Sequence, residues 1–449
     1  MCVLLQTRKI SATWLAALIL AIAVASGSSA SAQQPSTSST DSLIYDLKNP
    51  DAPRRMVAAR ELGIAKFLPA IPALLPLAED PDASVRRQVE LALEAMNDIS
   101  VLPALVQLSA DAEPDIRARA VHALVNLHLP RTTGPTAAIV KLGNLINPWS
   151  DEYGELVVEP DVPVDASVIT ALRARMGDAE DGIRRDSSRG LGILRAEPAI
   201  EELIVAAGQD LDSEVRFEAV RALKKIGNPS VGVRLVPMLT NGVDKVRNEV
   251  IATLGSLKCR DAVAELTRIF NQAKAGDRVR ALALSALADI ADPASHPVFL
   301  ALKAEKDVNI RLYANEGLAR LADLSLSTLM SADRLAEKNA RVQTAQAFGL
   351  LRIGRQEYLE ELVRALGKSA TRDLAREYLI ETRAAERPAL FASSSKSAAA
   401  RAGLADVFGQ MRDRSALPAL EELKRDSDAD VARSADRAIR WIMATTHLD

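Results

Sequence analysis

The chain has 449 residues, 56 Lys plus Arg against 59 Asp plus Glu, 48% hydrophobic residues and only 3% aromatics. A net charge of −3 excludes a general polyanion binder, and two cysteines, one of them Cys2, exclude a disulfide framework. With so few aromatics the core must be built from Ala, Leu, Val and Ile, the composition of helix-packed architectures.

Residues 1–32 read as a signal peptide. Arg8 and Lys9 precede an apolar run, Trp14 to Ser26, that is short for a membrane span, and Ala30-Ser31-Ala32 supplies the small-residue cleavage pattern. Cleavage near Ala32 removes Cys2 and leaves Cys259 as a lone thiol. The expectation is an exported protein, periplasmic or extracellular, without a membrane span. Residues 33–42, rich in Ser and Thr, read as a flexible leader.

From residue 43 to 449 the chain repeats. Arginines recur at 55, 86, 117, 184, 216, 247, 280, 311, 341, 372 and 401, with spacings of 29 to 33 residues except for one gap of 67. Seven residues after each stands a large apolar side chain, as at Leu62, Leu93, Leu191, Leu223 and Phe408, and a twelfth copy keeps Ile439 with Ala432 in place of the arginine. Small residues such as Ala58, Ala120, Ala219 and Ala314 fall three after the arginine, so the offsets place one apolar face on a three-turn helix. A first helix precedes each of these, as in Val101 to Leu108 and Ala416 to Leu423, opened by prolines such as Pro72, Pro103, Pro297 and Pro418. Short acidic turns join the two helices, with Asp212 and Asp307 placed to cap the second one. Two helices cannot bury their apolar faces alone. About twelve helical hairpins of some 31 residues must therefore stack, giving an all-α fold, an α-α superhelix or solenoid.

The unit Asp-x-x-Val-Arg-x-x-Ala-x-x-Ala-Leu, as in 82–93 and 212–223, resembles a HEAT repeat, and its short period is similar to the HEAT-like repeats of phycocyanobilin lyases. The resemblance implies an armadillo-like solenoid whose second helices line a concave side, with the arginine and turn Asp serving the repeat's own packing. It also implies that the protein binds other proteins, although one scaffold of this kind carries many functions.

The gap between Arg117 and Arg184 breaks the register. Thr136 to Ile146 and Ala166 to Met176 suit first helices, and the second helix expected between them is replaced by a proline-rich loop at 147–165 that carries Trp149 and Tyr153. Either the two aromatics plug the space of the missing helix, or the loop projects and binds a partner.

No catalytic constellation stands out. The four histidines, His122, His128, His296 and His447, form no i, i+4 pair and no His-Glu dipeptide, and Cys259 has no histidine beside it in sequence. There is no P-loop, dinucleotide-binding glycine motif or Cys-x-x-Cys. One and five residues past the arginine, side chains point away from the buried stripe. These columns read Arg87, His122, Arg185, Arg189, Phe217 and Arg221 in the first half, then Glu316, Asp373, Glu377 and Asp406, with Arg433 and Arg437 at the end. The expectation is a non-enzymatic scaffold without cofactor or metal. Its candidate site is the basic run around Phe217, offered to an acidic protein segment, with Trp149 and Tyr153 as a second candidate. The alternative, implied only by the resemblance, is a lyase-like or cofactor-handling protein; net charge and export argue against nucleic acid.

Overall fold

The computed structural model describes residues 37–129 and 156–444, and all its regular elements there are helical. The signal peptide at 1–32, most of the stretch from 130, and Trp149 and Tyr153 lie outside the described residues. The first described helix, Thr37–Asp46, opens inside the stretch expected to be a flexible leader, so the helical part of the chain starts earlier than residue 43.

Among the described residues twelve helices carry the recurring position. They are α1 (Ala52–Ile64), α2 (Ala83–Met96), α3 (Pro114–Asn126), α4 (Asp181–Ile193), α5 (Ser213–Ile226), α6 (Asp244–Ser256), α7 (Arg278–Ile290), α8 (Val308–Leu321), α9 (Ala340–Arg352), α10 (Arg372–Ile380), α11 (Ala398–Met411) and α12 (Ala429–Ala444). A shorter helix precedes each from α3 onward, among them Leu102–Leu108, Ala166–Arg175, His296–Leu302 and Leu417–Leu423. The prolines sit in the first turn of these short helices, where no amide bond is lost. Asp212 accepts from the amides of Glu214 and Val215, and Asp307 from those of Asn309 and Ile310, which satisfies donors left bare at a helix start. Among the described residues, eight of the second helices are followed, 11 residues after the arginine position, by a residue in the left-handed region. Lys66, Arg195, Lys258, Ala291, Ala322 and Gly227 are examples.

The chain forms two compact units, Met1–Met96 and Asn97–Asp449. In the first, α1 packs on α2 so closely that a Cβ on Gly63 would lie 2.6 Å from the Ala92 Cα. In the second, each of α3 to α12 packs against the next in chain order. Leu191, Leu223, Leu254 and Leu287 are fully buried between neighbours. Each contributes about 1.5–3 kcal/mol of burial, so the stripe is what drives stacking.

The recurring arginine ties one repeat to the next. Arg184 donates back to the Asp178 carbonyl and forward, from Nε at 2.8 Å and Nη2 at 2.9 Å, to both carboxylate oxygens of Asp210. Arg55 does the same with Asp80, and Arg401 with Asp426. Burial pushes the Asp80 carboxyl up, but the Arg55 guanidinium and the Asp82 amide outweigh it and hold the group below its ordinary range. The arginine is a scaffold group, as the resemblance implies.

One expectation is corrected here. Across the gap between Arg117 and Arg184, α3 packs directly on α4, and Arg117 donates to Asp178 at 2.8 Å, the same bridge closed across 61 residues instead of about 25. The gap is one ordinary repeat step with a long insertion, not two steps with a helix replaced. The described end of that insertion does not project either, since the Val158 amide donates to the Ile193 carbonyl at 2.8 Å and Val158 is buried.

Candidate functional site

The second-helix layer of the second unit carries a seam of charged side chains, and its first half runs over α3, α4 and α5. His122 Nε2 lies 2.9 Å from Asp186 Oδ2, and Arg185 Nε donates to the other Asp186 oxygen at 3.0 Å. Arg189 Nη2 donates to Glu218 Oε1 at 2.7 Å, with Arg221 Nη1 3.5 Å from the same oxygen. Asp186 and Glu218 are buried. Burial pushes the Asp186 carboxyl up, but His122 and Arg185 more than offset it and hold the group ionised. Phe217, half-buried, lies under two cations, with Lys245 Nζ 4.1 Å and the Arg221 guanidinium 5.5 Å from its ring centre.

The structure thus brings together His122, Arg185, Arg189, Phe217 and Arg221, and it changes their character. They are expected as outward charges independent of the scaffold. Instead Arg189 and Arg221 retain only 14% and 15% of their side-chain surface, because buried carboxylates two residues after the arginine position anchor them. Arg185, at 37%, remains the accessible one. Arg87 lies on α2 in the first unit, half-buried. Trp149 and Tyr153 are outside the described residues.

The second half of the seam runs over α7 to α10. Glu316 is buried and accepts from the Tyr378 hydroxyl at 2.5 Å. Arg320 meets Asp289 at 3.1 Å and both oxygens of Glu381 at 3.0 to 3.1 Å, and Arg352 donates to the Glu381 carbonyl. Burial pushes Glu316 up to about 7, against the pull of Arg320 and the Tyr378 hydroxyl. Asp289 is raised by burial as well, and burial and the Glu316 carboxylate raise Tyr378. Glu316 is therefore not the solvated charge that its column suggests. Glu377 and Asp373 are exposed, and Asp406 meets Arg437 at 2.6 Å.

Reading only the columns one and five after the arginine misses Asp186 and Glu218 at two after, Tyr378 at six, and Asp289, Arg320 and Glu381 at nine. Their signal is in the sequence as charge at two further fixed offsets. The expected change from basic to acidic is a run of neutralised clusters in which cation and carboxylate alternate from helix to helix. Arrays of this kind hold side chains still and offer fixed donors; arginines already pinned by a carboxylate lose little further freedom on meeting a second one.

Cys259 is buried against Gly232, where it packs, and burial raises its thiol. Among the described residues no group of three His, Cys, Asp or Glu side chains is placed to hold a metal, and no helix is long and apolar enough to cross a membrane.

Two stretches, residues 40–125 and 169–252, match the family model of the HEAT repeats. No curated protein matches the chain. Among solved structures the chain is similar to an engineered protein, at 19% identity and TM-score 0.42 over 90% of this chain and 98% of that one. It is also similar to the complex of CpcE and CpcF of phycocyanin lyase from Nostoc sp. PCC7120, at 16% and 0.34 over 62% and 92%. A third is YibA of E. coli, at 18% and 0.40 over 70% and 100%. None of the three bears on what this chain does.

Proposed function

We propose that this chain, a HEAT-repeat protein, is a non-enzymatic scaffold that binds another protein through the second-helix face, with the ladder on α3 to α5 receiving an acidic segment of the partner. The observation that carries the reading is the pinned cationic surface beside an aromatic. Arg185 and Lys245 keep 37% and 48% of their side-chain surface, Phe217 lies half-buried under Lys245 and Arg221, and Asp186 and Glu218 fix the guanidiniums in place, while Lys245 also meets Glu214 at 2.6 Å. The non-enzymatic part of the reading is supported by where the polar groups go. Asp186, Glu218, Glu316 and Arg320 are each engaged with another side chain of the chain itself: His122, Arg189, Tyr378 and Glu381.

A labelled peptide of ten Asp and Glu residues tests the ladder. It should bind the full chain, and binding should weaken as salt rises, because exposed charges are screened beyond about 8 Å at physiological ionic strength. Replacing Arg185→Gln and Lys245→Gln together should weaken capture at least about fivefold with stability changed by no more than about 0.5 kcal/mol, as for partly exposed sites. Equal binding by the double variant would place the partner site elsewhere. We also propose that the protein works outside the cytoplasm, which the charged-then-apolar start and Ala30-Ser31-Ala32 support. The intact mass of protein recovered from the extracytoplasmic fraction should correspond to a chain starting at Gln33, and recovery of only the uncleaved form inside cells would rule this out.

A further inference from the structure

Two polar contacts in the second unit join alternate helices over the one between them. Tyr378 on α10 reaches Glu316 on α8 at 2.5 Å, and Arg320 near the end of α8 reaches Glu381 just after α10, both passing α9. Elsewhere in the layer the bridges join neighbours, as in Arg189 to Glu218 and Arg437 to Asp406. Packed helices lie about 8–10 Å apart, so alternate members of a straight row are about 16–20 Å apart. Only long side chains can cross such a span, and here they do so over α9, where Phe348 stacks on Tyr378 with ring centres 4.6 Å apart. The crossing is a clasp of few groups, and one of them, Glu316, is a buried carboxyl.

We propose that this clasp is a proton-operated hinge: with Glu316 neutral, α8 and α10 are held together over α9, and with Glu316 ionised they part. The charges around Glu316 give the direction. Its own helix supplies Arg320 and Tyr313, α7 supplies Asp289, and α9 supplies Arg352 and the uncharged, buried Gln346. From α10 and the residue after it come Glu377, Tyr378 and Glu381. On the short helix packed against α8 and just beyond it, His296 and Lys303 are engaged with Asp323 and Asp333. Ionised Glu316 thus adds a buried negative charge beside Asp289 and Glu377, with Arg320 the cation that bears on it most, and the neutral acid removes that charge; further out Lys224 and Lys258 face Asp289, Arg376 faces Glu377 and Arg341 faces Tyr313. Opening the clasp lets water reach the carboxyl and returns it toward its ordinary value of 4.5, while closure pushes it up to about 7. The closed form binds the proton more tightly, so closure is fully favoured below the ordinary value and is lost as pH rises through about 7.

Hydrogen–deuterium exchange of the α10 amides in the full chain tests this, with rates corrected for the intrinsic effect of pH. Protection in the parent should fall about tenfold between pH 6 and pH 8, the shift those two affinities imply. Glu316→Gln, which still accepts the Tyr378 hydroxyl, should hold protection within about threefold over the same range. A parent insensitive to pH, or a Glu316→Gln chain with the full dependence, overturns the proposal. Should that variant fail to fold, Glu377→Gln decides. Removing this neighbouring carboxylate must move the parent's transition to lower pH, and a midpoint unmoved or raised has the same overturning force.

Discussion

Arg184 spends its guanidinium in two directions, back to the Asp178 carbonyl at 3.0 Å and forward to both oxygens of Asp210. A planar fork can do this and a lysine ammonium cannot. Arg216 occupies the same position one repeat on, but Asn241 stands where the partner carboxylate belongs. Arg216 keeps only its bonds to the carbonyls of Asp210 and Leu211, and its Nε has no hydrogen-bond partner. Arg184→Lys should therefore cost about 1.5–3 kcal/mol, the range for hydrogen bonds to charged groups, and Arg216→Lys clearly less. Urea unfolding of the two variants checks the order; equal losses would mean that the arginine serves only its own turn. The same pair sets an acid limit. Burial pushes Asp210 up, yet Arg184 and the Asp212 amide hold it below its ordinary value. A depressed folded value means that this stability is present above the ordinary carboxylate range and is lost as pH falls through the folded value, so the parent should lose more stability on acidification than Arg184→Lys does.

Between helices, close approach replaces side-chain bulk. A Cβ on Gly192 of α4 would lie 2.6 Å from the Ala222 Cα of α5, and the same meeting recurs at Gly255 with Ala286 and at Gly409 with Ala438. Backbone cannot swing aside as a long side chain can, so Gly192→Ala should separate α4 from α5 and destabilise by about 1–3 kcal/mol despite the better helix propensity of alanine. A thermal midpoint that rises would show that the pair already has slack. The helices themselves were legible in the sequence because Leu191 and Leu223 lie on a stripe that is both local and periodic. The insertion is not legible, because a gap of 67 lies close to two periods, whereas Arg117 closes on Asp178 as though no gap existed. The candidate site was legible in part: Arg185, Arg189, Phe217 and Arg221 do meet. Which of them are pinned depends on Asp186 and Glu218, side chains that a two-column reading takes for interior filler. The partnership of Tyr378 with Glu316 is out of reach, because it joins helices two repeats apart and is decided by packing between repeats.

A stacked array is nearly one-dimensional, each repeat touching its neighbours, so its stability is close to a sum of local terms. Within the second unit, and beyond the Arg320–Glu381 pair that passes over α9, an ion pair between distant segments departs further from that rule: Arg440 on α12 donates to Asp161, at the described end of the insertion, at 3.0 Å across 279 residues. Asp161 retains 20% of its side-chain surface and Arg440 49%, and Arg440 also meets Asp436 at 2.5 Å. A pair this exposed contributes roughly 0–1 kcal/mol, so its loss should hardly move the unfolding midpoint. Its consequence is connectivity, because it ties the segment before the Ala166–Arg175 helix to the last helix described. Arg440→Glu sets two carboxylates against each other and should speed proteolytic cleavage within 156–165 while leaving helicity unchanged, and Asp161→Arg alone should do the same. The two together restore opposite charges and should return the cleavage rate toward that of the parent. Additive effects in the double variant, with no recovery, would mean that the two segments do not meet in solution and that the array is held by neighbour contacts alone.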